Sequence, residues 1–392
     1  MPQDDGVVQF SSEHDHRIWL RRSRGMAPEY FGPKPSFNRN ILSLGGDIKN
    51  TICYAANNQI YLSQPCGDQM QWDSQGRQKM VINHFLSMTN TTPEVILFDA
   101  NAGYYTHQSG LDLAKEFRAE YFEVNHHEAH FAAILGEHDL WGEPKVLGVI
   151  WDGQGLGRDQ NVWGGEFFLY SDSIINRLAH LAYHPWILGD KMSKEPRISA
   201  LCYFKEVQFA QNKLKSHFSE EEWLNYQKVL SKNNLQTSSV GRWFDAVAFM
   251  LDLVQYNEFD GQAAMSLESN ALCAADKNDL EPYAIEPITN RVEIHSVNEQ
   301  IVNDLLNNEP IPNIAFRFHL TLADIINQMA ANLKVDQVAF SGGVFQNALL
   351  VDLISTKMKD EYNLYFHKNV SPNDENISLG QIFYYRHIQR MR

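Results

Sequence analysis

His126 and His130 are the first residues from which chemistry can be read, in the stretch Val124-Asn125-His126-His127-Glu128-Ala129-His130. Side chains four positions apart on a helix stand one above the other on the same face. That spacing lets two imidazoles reach one metal ion without distorting the backbone. Asp152 follows in Trp151-Asp152-Gly153-Gln154-Gly155-Leu156-Gly157, directly after an apolar run, and adds a carboxylate. Two histidines and a loop carboxylate suit a divalent ion that keeps positions open for a substrate. The competing reading is a chance histidine pair on a solvated helix, with Asp152 a turn residue. The residues alone leave both open.

The elements that must position these side chains read as two units of similar order. In the first, residues 41–44 form a strand turned by Gly45-Gly46-Asp47. Strands at 51–55 and 60–63 meet through Asn57-Asn58, and a helix at 75–89 and a strand at 95–98 precede the histidine helix. After Gly142-Glu143-Pro144, residues 146–151 form a strand that ends in the Asp152 glycine loop, followed by strands at 162–170 and 178–183. Residues 185–275 read as mainly helical, and 283–287 with 291–295 as a hairpin. A helix at about 316–332, a strand at 338–341 entering a helix through glycines, a strand at 364–367 and a helix at 377–388 follow. The predicted division is a tail and linker over 1–39, a first lobe over 40–143 and a second over 144–392, with a helical insertion at about 185–300. The linker is the run Gly32-Pro33-Lys34-Pro35-Ser36-Phe37-Asn38.

Composition narrows the function classes. The 392 residues are 44% hydrophobic and 21% charged, as in ordinary soluble proteins. With 48 acidic against 33 basic side chains, the net charge is -15, which repels phosphate backbones and argues against nucleic acid as a direct partner. Arg17, Arg21, Arg22 and Arg24 make a local basic patch that reads as a solvated segment or docking strand. The four cysteines are widely spaced without a CxxC pair, which argues against a zinc module and a disulfide framework. Neither a signal-peptide core nor an apolar run of membrane-spanning length is present, so the cytoplasm is the expected compartment.

Three glycine loops each follow a predicted strand: Gly45-Gly46-Asp47, Asp152-Gly153-Gln154-Gly155 and Ser341-Gly342-Gly343. Glycine lets backbone approach a phosphate, and exposed N–H groups at such turns attract anions. Their order suggests two ribonuclease-H-like halves clasping a nucleotide: an α/β, actin-like (ASKHA) two-lobed fold with a helical insertion.

Further motifs carry a specific resemblance. His126-His127-Glu128-Ala129-His130, Trp151-Asp152-Gly153-Gln154-Gly155, Trp163-Gly164-Gly165-Glu166-Phe167, Thr237-Ser238-Ser239-Val240-Gly241-Arg242-Trp243-Phe244-Asp245, Asp260-Gly261-Gln262-Ala263-Ala264-Met265, Phe316-Arg317-Phe318-His319, Ser341-Gly342-Gly343-Val344-Phe345-Gln346-Asn347 and Ser371-Pro372-Asn373-Asp374 follow one another in order. From about residue 40 onward the chain resembles the C-terminal half of the hydrogenase-maturation carbamoyltransferase family, HypF. Asp4-Asp5-Gly6-Val7-Val8 and Leu20-Arg21-Arg22-Ser23-Arg24-Gly25-Met26-Ala27-Pro28 resemble the last stretch of the YrdC-like domain that precedes this half. The family's acylphosphatase-like domain, its two Cys-rich zinc modules and most of the YrdC-like domain have no counterpart in this sequence.

The resemblance implies transfer of a carbamoyl group from ATP-derived carbamoyl adenylate to the C-terminal cysteine thiol of a HypE-like acceptor. A separate protein or domain would supply the adenylate. His126, His130, Asp152 and Asp374 would hold one divalent ion, iron(II) or zinc by donor type, with magnesium or manganese weaker candidates. Asp47, Gly153 and Gly155 would lie at the nucleotide, Ser341, Gly342, Gly343 and Asn347 at its adenine and ribose, and Gly261 and Gln262 at the sugar or phosphate. Lys191 and Arg197 could hold a phosphate or carbamate as catalytic cations, the plainer reading being a solvated helix end. His127 points off the metal face. Asp374 has a competing role as N-cap of the final helix. Two other functions fit the fold: a threonylcarbamoyl transferase acting on tRNA, and a non-catalytic nucleotide-binding scaffold.

Overall fold

Short apolar runs that alternate faces at period two build two mixed sheets, one in each half of the chain. The computed structural model describes residues 4–31 and 38–391, so all of the predicted linker but Asn38 lies outside the described residues. The first half comprises β1 (Val7–Phe10), β2 (Arg17–Arg21), β3 (Glu29–Phe31), β4 (Ile41–Ser43), β5 (Cys53–Ala56), β6 (Gln59–Leu62), α1 (Trp72–Thr89), β7 (Val95–Asp99), α2 (Tyr105–Phe117), β8 (Glu120–Val124) and α3 (His126–Glu137). β9 (Lys145–Leu156), β10 (Val162–Ser171) and β11 (Ile174–Leu181) open the second. The insertion holds β12 (His184–Pro185), α4 (Lys191–Lys194), α5 (Pro196–Tyr203), α6 (Ala210–Ser216), α7 (Glu220–Lys232), β13 (Gln236–Thr237), α8 (Val240–Met250), α9 (Gln262–Leu272), β14 (Arg291–Val292) and α10 (His295–Leu306). Then come α11 (Ile311–Leu333), β15 (Gln337–Ser341), α12 (Ala348–Met358), β16 (Asn363–Tyr365) and α13 (Ile377–Met391).

The first sheet runs β3-β6-β5-β4-β7-β8, with β4, β7 and β8 parallel and β5 and β6 antiparallel. In the second, β11-β10-β9-β15-β16 repeats that arrangement, with β9, β15 and β16 parallel. Both halves thus show the ribonuclease-H-like strand order, as expected. Asn57 and Asn58 take φ of 54° and 61° in the turn joining β5 to β6.

Strand parity decides what each face meets. Ile41, Val95 and Leu97 pack with Leu379, Ile382 and Phe383 of α13, while Leu42, Ile96 and Phe98 pack with Val81, Ile82 and Phe85 of α1. On β9, Leu147, Val149 and Trp151 face the insertion, and Val146 and Ile150 face Phe131, Ile134 and Leu135 of α3. α3 therefore lies between the two sheets, buried from His126 through Gly136, and lacks a solvent face. α13 closes on it at Gly380, where a Cβ would run into the Ala129 carbonyl oxygen. β3 joins the edge of the first sheet, while β2 rests on the second lobe through Trp19, whose indole donates to the Lys368 carbonyl at 3.1 Å.

Two expectations need correction, and two elements went unread. The Asp152 motif is not a loop, because β9 continues to Leu156 and stays paired with β10 that far. The apolar run stops at Trp151, but backbone pairing does not require apolar side chains. The hairpin at 283–295 is absent. Only Arg291–Val292 is strand, pairing with β11, and Tyr283 and Ala284 instead donate their N–H groups to the side chains of Thr321 and Gln300. α2 and β8 escaped the sequence reading, β8 because Glu120 and Glu123 interrupt its apolar character. Among the described residues, no helix is long and apolar enough to cross a membrane.

Candidate metal centre

α3 begins at His126, so its first two turns present His126 and His130 on one side, with ring centroids 5.0 Å apart. Asp152 shares the parity of Ile150 on β9 and points to the same side. Asp374 sits in a short 3-10 turn, Asp374–Asn376, that leads into α13. Asn373 caps that turn by accepting from the Glu375 N–H at 3.0 Å, so Asp374 is not the cap and its carboxylate reaches the histidines. His126 Nε2 lies 3.5 Å from Asp152 Oδ2 and 3.7 Å from Asp374 Oδ1; for His130 Nε2 the distances are 3.8 and 3.6 Å. One ligand atom from each of the four lies within 4.8 Å of all the others.

Both imidazoles are held by their far nitrogens. His126 Nδ1 donates to Asp99 Oδ2 at 2.9 Å, and His130 Nδ1 to Asn376 Oδ1 at 3.0 Å. Each Nε2 then carries a lone pair, and both are buried without a hydrogen-bond partner. Such atoms are costly unless something positive occupies the space before them. Burial by itself would lower His126 and His130, yet the carboxylates of Asp374, Asp152 and Asp99 raise His126 well above its ordinary value, and Asp152 and Asp374 raise His130. Burial would raise Asp152, but the two histidines hold it well below the carboxylate range. Asp374, pushed up by burial and by Asp152, is brought down to about 2 by the same imidazoles. The cluster is an electrostatic well for a cation. His127 is off it, as expected: buried, packed against Trp163 and lowered well below its ordinary value by burial and by His126.

The other predicted site residues divide into three groups. Several are in contact with the cluster residues. A Cβ at Gly155 would lie 2.6 Å from His127 and 2.8 Å from His126, so its missing side chain lets β9 approach α3. The Gly343 N–H donates to Asp152 Oδ1 at 2.9 Å, and Gly342, at φ 105°, passes against the Trp151 backbone. Ser341, expected at the adenine and ribose, lies at the back of the metal cluster in this structure. Parity on β15 turns it towards α3, fully buried, with Oγ 3.3 Å from His130 Nδ1.

A second group is occupied by local structure. Asp47 accepts the N–H groups of Tyr105 and Thr106 at 2.8 and 2.9 Å and caps α2. Asn347 caps α12 through the Leu350 N–H and donates to His319 Nε2. Gly153 packs against Gly241. Lys191 pairs with Tyr226 and Glu195, and Arg197 with Glu195, Glu222 and the His217 carbonyl. Those two cations tie α4 and α5 to α7 rather than facing the cluster.

Gly261 remains as an open position, at φ 80° before α9 with nothing near its missing Cβ, while the neighbouring Gln262 accepts the Glu258 N–H through Oε1 at 2.6 Å. Among the described residues, a cation that does face the cluster is Lys49. Its ammonium pairs with Asp260 at 2.6 Å across the lobes. Burial would lower it, but Asp260, Asp374 and Asp152 together raise it above its ordinary value. Lys49, Asp99 and Asn376 were not singled out from sequence. Of these only Asp99 carried a signal, as the polar end of an apolar strand, where α/β sites collect.

Residues 148–381 match the family described as "Carbamoyltransferase, Kae1-like Domain, second subdomain", and residues 36–137 match "HypF Kae1-like domain". A relative from Methanocaldococcus jannaschii, described as a probable carbamoyltransferase HypF, is 31% identical over 390 residues, taking in 96% of this chain and 50% of the relative. A shorter one from Cupriavidus necator, described as a carbamoyltransferase HypF homolog, is 28% identical over 369 residues, 89% of this chain and 92% of its own. A crystal structure of full-length HypF in the phosphate- and nucleotide-bound form superposes with a TM-score of 0.88 at 30% identity, over 98% of this chain and 51% of that one. The chain spans about half the length of the methanogen relative and of that crystallised protein.

Proposed function

Since this chain belongs to the HypF family of carbamoyltransferases, we propose that it transfers a carbamoyl group from carbamoyl adenylate to the C-terminal cysteine thiol of a HypE-type partner, with one divalent ion held by His126, His130, Asp152 and Asp374. The observation that carries this reading is the pair of buried, unpartnered Nε2 atoms facing two carboxylates. Two imidazoles and two carboxylates suit iron(II) or zinc better than magnesium. When bound, the ion supplies fixed positive charge and Lewis acidity to an acyl-transfer site.

The chain's own residues prepare the cleft. Asp99 and Asn376 fix the imidazole tautomers, and the Gly343 N–H fixes Asp152. The Lys49 ammonium, poised between Asp260 and the cluster, can exchange Asp260 for the phosphate of the adenylate. Open backbone at Gly261, at the start of α9, offers a second anion contact on the opposite lobe. In the transfer, a thiolate attacks the carbamoyl carbon, the bond from that carbon to the phosphate oxygen breaks, and AMP leaves with the electron pair. The adenylate comes from another domain or protein.

The test offers labelled carbamoyl adenylate and a cysteine-ended acceptor to the metal-loaded chain. Label should pass to the thiol, fail with a serine-ended acceptor, and slow by at least about 100-fold in Asp374→Asn. A loaded wild-type chain that moves no label to the thiol would overturn the assignment.

A further inference from the structure

Behind His130 runs a chain of buried polar groups that ends in a carboxylate on the same helix. Glu137, two turns beyond His130 on α3, accepts His367 Nδ1–H at 2.5 Å on one oxygen. Its other oxygen accepts the backbone N–H groups of Lys368 and Asn369 at 2.9 and 2.6 Å. With Nδ1 committed to Glu137, His367 Nε2 accepts from the Ser341 hydroxyl at 2.9 Å. Ser341 Oγ accepts from Asn376 Nδ2 at 3.2 Å, and Asn376 Oδ1 accepts from His130 Nδ1 at 3.0 Å. The remaining amide hydrogen of Asn376 goes to the Ser371 carbonyl at 2.9 Å. Read in this direction every donor meets an acceptor, the longer contacts of His130 Nδ1 with Ser341 Oγ at 3.3 Å and of Asn376 Nδ2 with His367 Nε2 at 3.4 Å included, and His130 is left with its Nε2 lone pair turned to the cluster. Ser341 and Asn376 are fully buried, and His367 nearly so.

We infer that Glu137, His367 and Ser341 are positioning residues for the metal ligand His130, setting through Asn376 which of its nitrogens carries the proton. His126 receives the same service from Asp99 in a single hydrogen bond. For His130 the anchoring carboxylate stands at the far end of the helix, and the intervening groups pass its preference along. Reversing any one link leaves a buried donor facing a donor or an acceptor facing an acceptor, which in a low-dielectric interior costs more than the bond is worth when made. Imidazole ligands whose far nitrogen loses its partner typically bind metal 10- to 100-fold more weakly.

The inference rests on the metal reading of the cluster, and one experiment separates the two. Co(II) alone is titrated into the metal-stripped full chain, with affinity and ligand-field absorption as readouts. Ser341→Ala, which removes one hydroxyl, and His367→Phe, which keeps a ring beside the cavity of about 420 Å³ that His367 lines, should each weaken Co(II) by about 10- to 100-fold. Each should also alter the absorption of the bound ion. The double variant should bind no worse than the weaker single one, because both cut the same chain. Wild-type affinity in the single variants, or losses that add as if independent, overturn the inference. Should His367→Phe fail to fold, Ser341→Ala decides alone. A wild-type chain that gives no Co(II) spectrum overturns the metal reading itself, and this inference with it.

Discussion

Gly155 shows how closely the cluster is built at the residue scale. It has no chemistry of its own, yet a methyl group there would press on the His126 and His127 rings at 2.8 and 2.6 Å. Gly155→Ala should displace the His126 imidazole and weaken metal binding at least about tenfold, while lowering stability by only about 1–3 kcal/mol. A metal titration beside a thermal melt checks this, and unaltered affinity would refute the close-approach account. His126, His130 and Asp152 were legible in the sequence because their signals are local: a helical spacing and a carboxylate at the end of an apolar run. Asp374 was legible only through family resemblance. Asp99 and Asn376 were not, since their roles arise from contacts with partners 27 and 246 positions away. For Lys191 and Arg197 the reverse holds, as a cationic run does not reveal that Glu195 and the α7 carboxylate Glu222 pair with its charges.

At the element scale, α3 matters most, as it carries the two imidazoles at one end and Glu137 at the other. Its place between the sheets depends on α13, and that contact depends on Gly380. Because the obstacle is the Ala129 carbonyl rather than a movable side chain, Gly380→Ala should destabilise the chain by at least about 2 kcal/mol. It should also loosen the Asp374 turn that leads into α13. A melting temperature equal to wild type would show that the helices can part without cost. Period-two apolar strands and the histidine helix could be read directly. β9 outlasted its apolar run, and the 283–295 segment satisfied its N–H groups on side chains instead of a strand partner, which no local pattern announces. Parity on β15 also turns Ser341 of the third glycine loop towards His130.

At the scale of the molecule, two ribonuclease-H-like sheets face each other across α3, and each lobe contributes to the centre. The first supplies both histidines, Asp99 and Lys49, the second Asp152 and Gly343, and the turn before α13 supplies Asp374 and Asn376. The strand order was legible because each half repeats the same series of strands and turns, whereas the convergence of four ligands from three distant segments is a property of the folded chain alone. The most direct measurement is metal content by mass spectrometry, after anaerobic loading with iron(II), or with zinc, and exhaustive dialysis. The wild-type chain should retain one equivalent, and His126→Gln, His130→Gln, Asp152→Asn and Asp374→Asn should each retain much less. A wild-type chain that keeps no ion, or four variants that keep as much as it does, would contradict the centre described here.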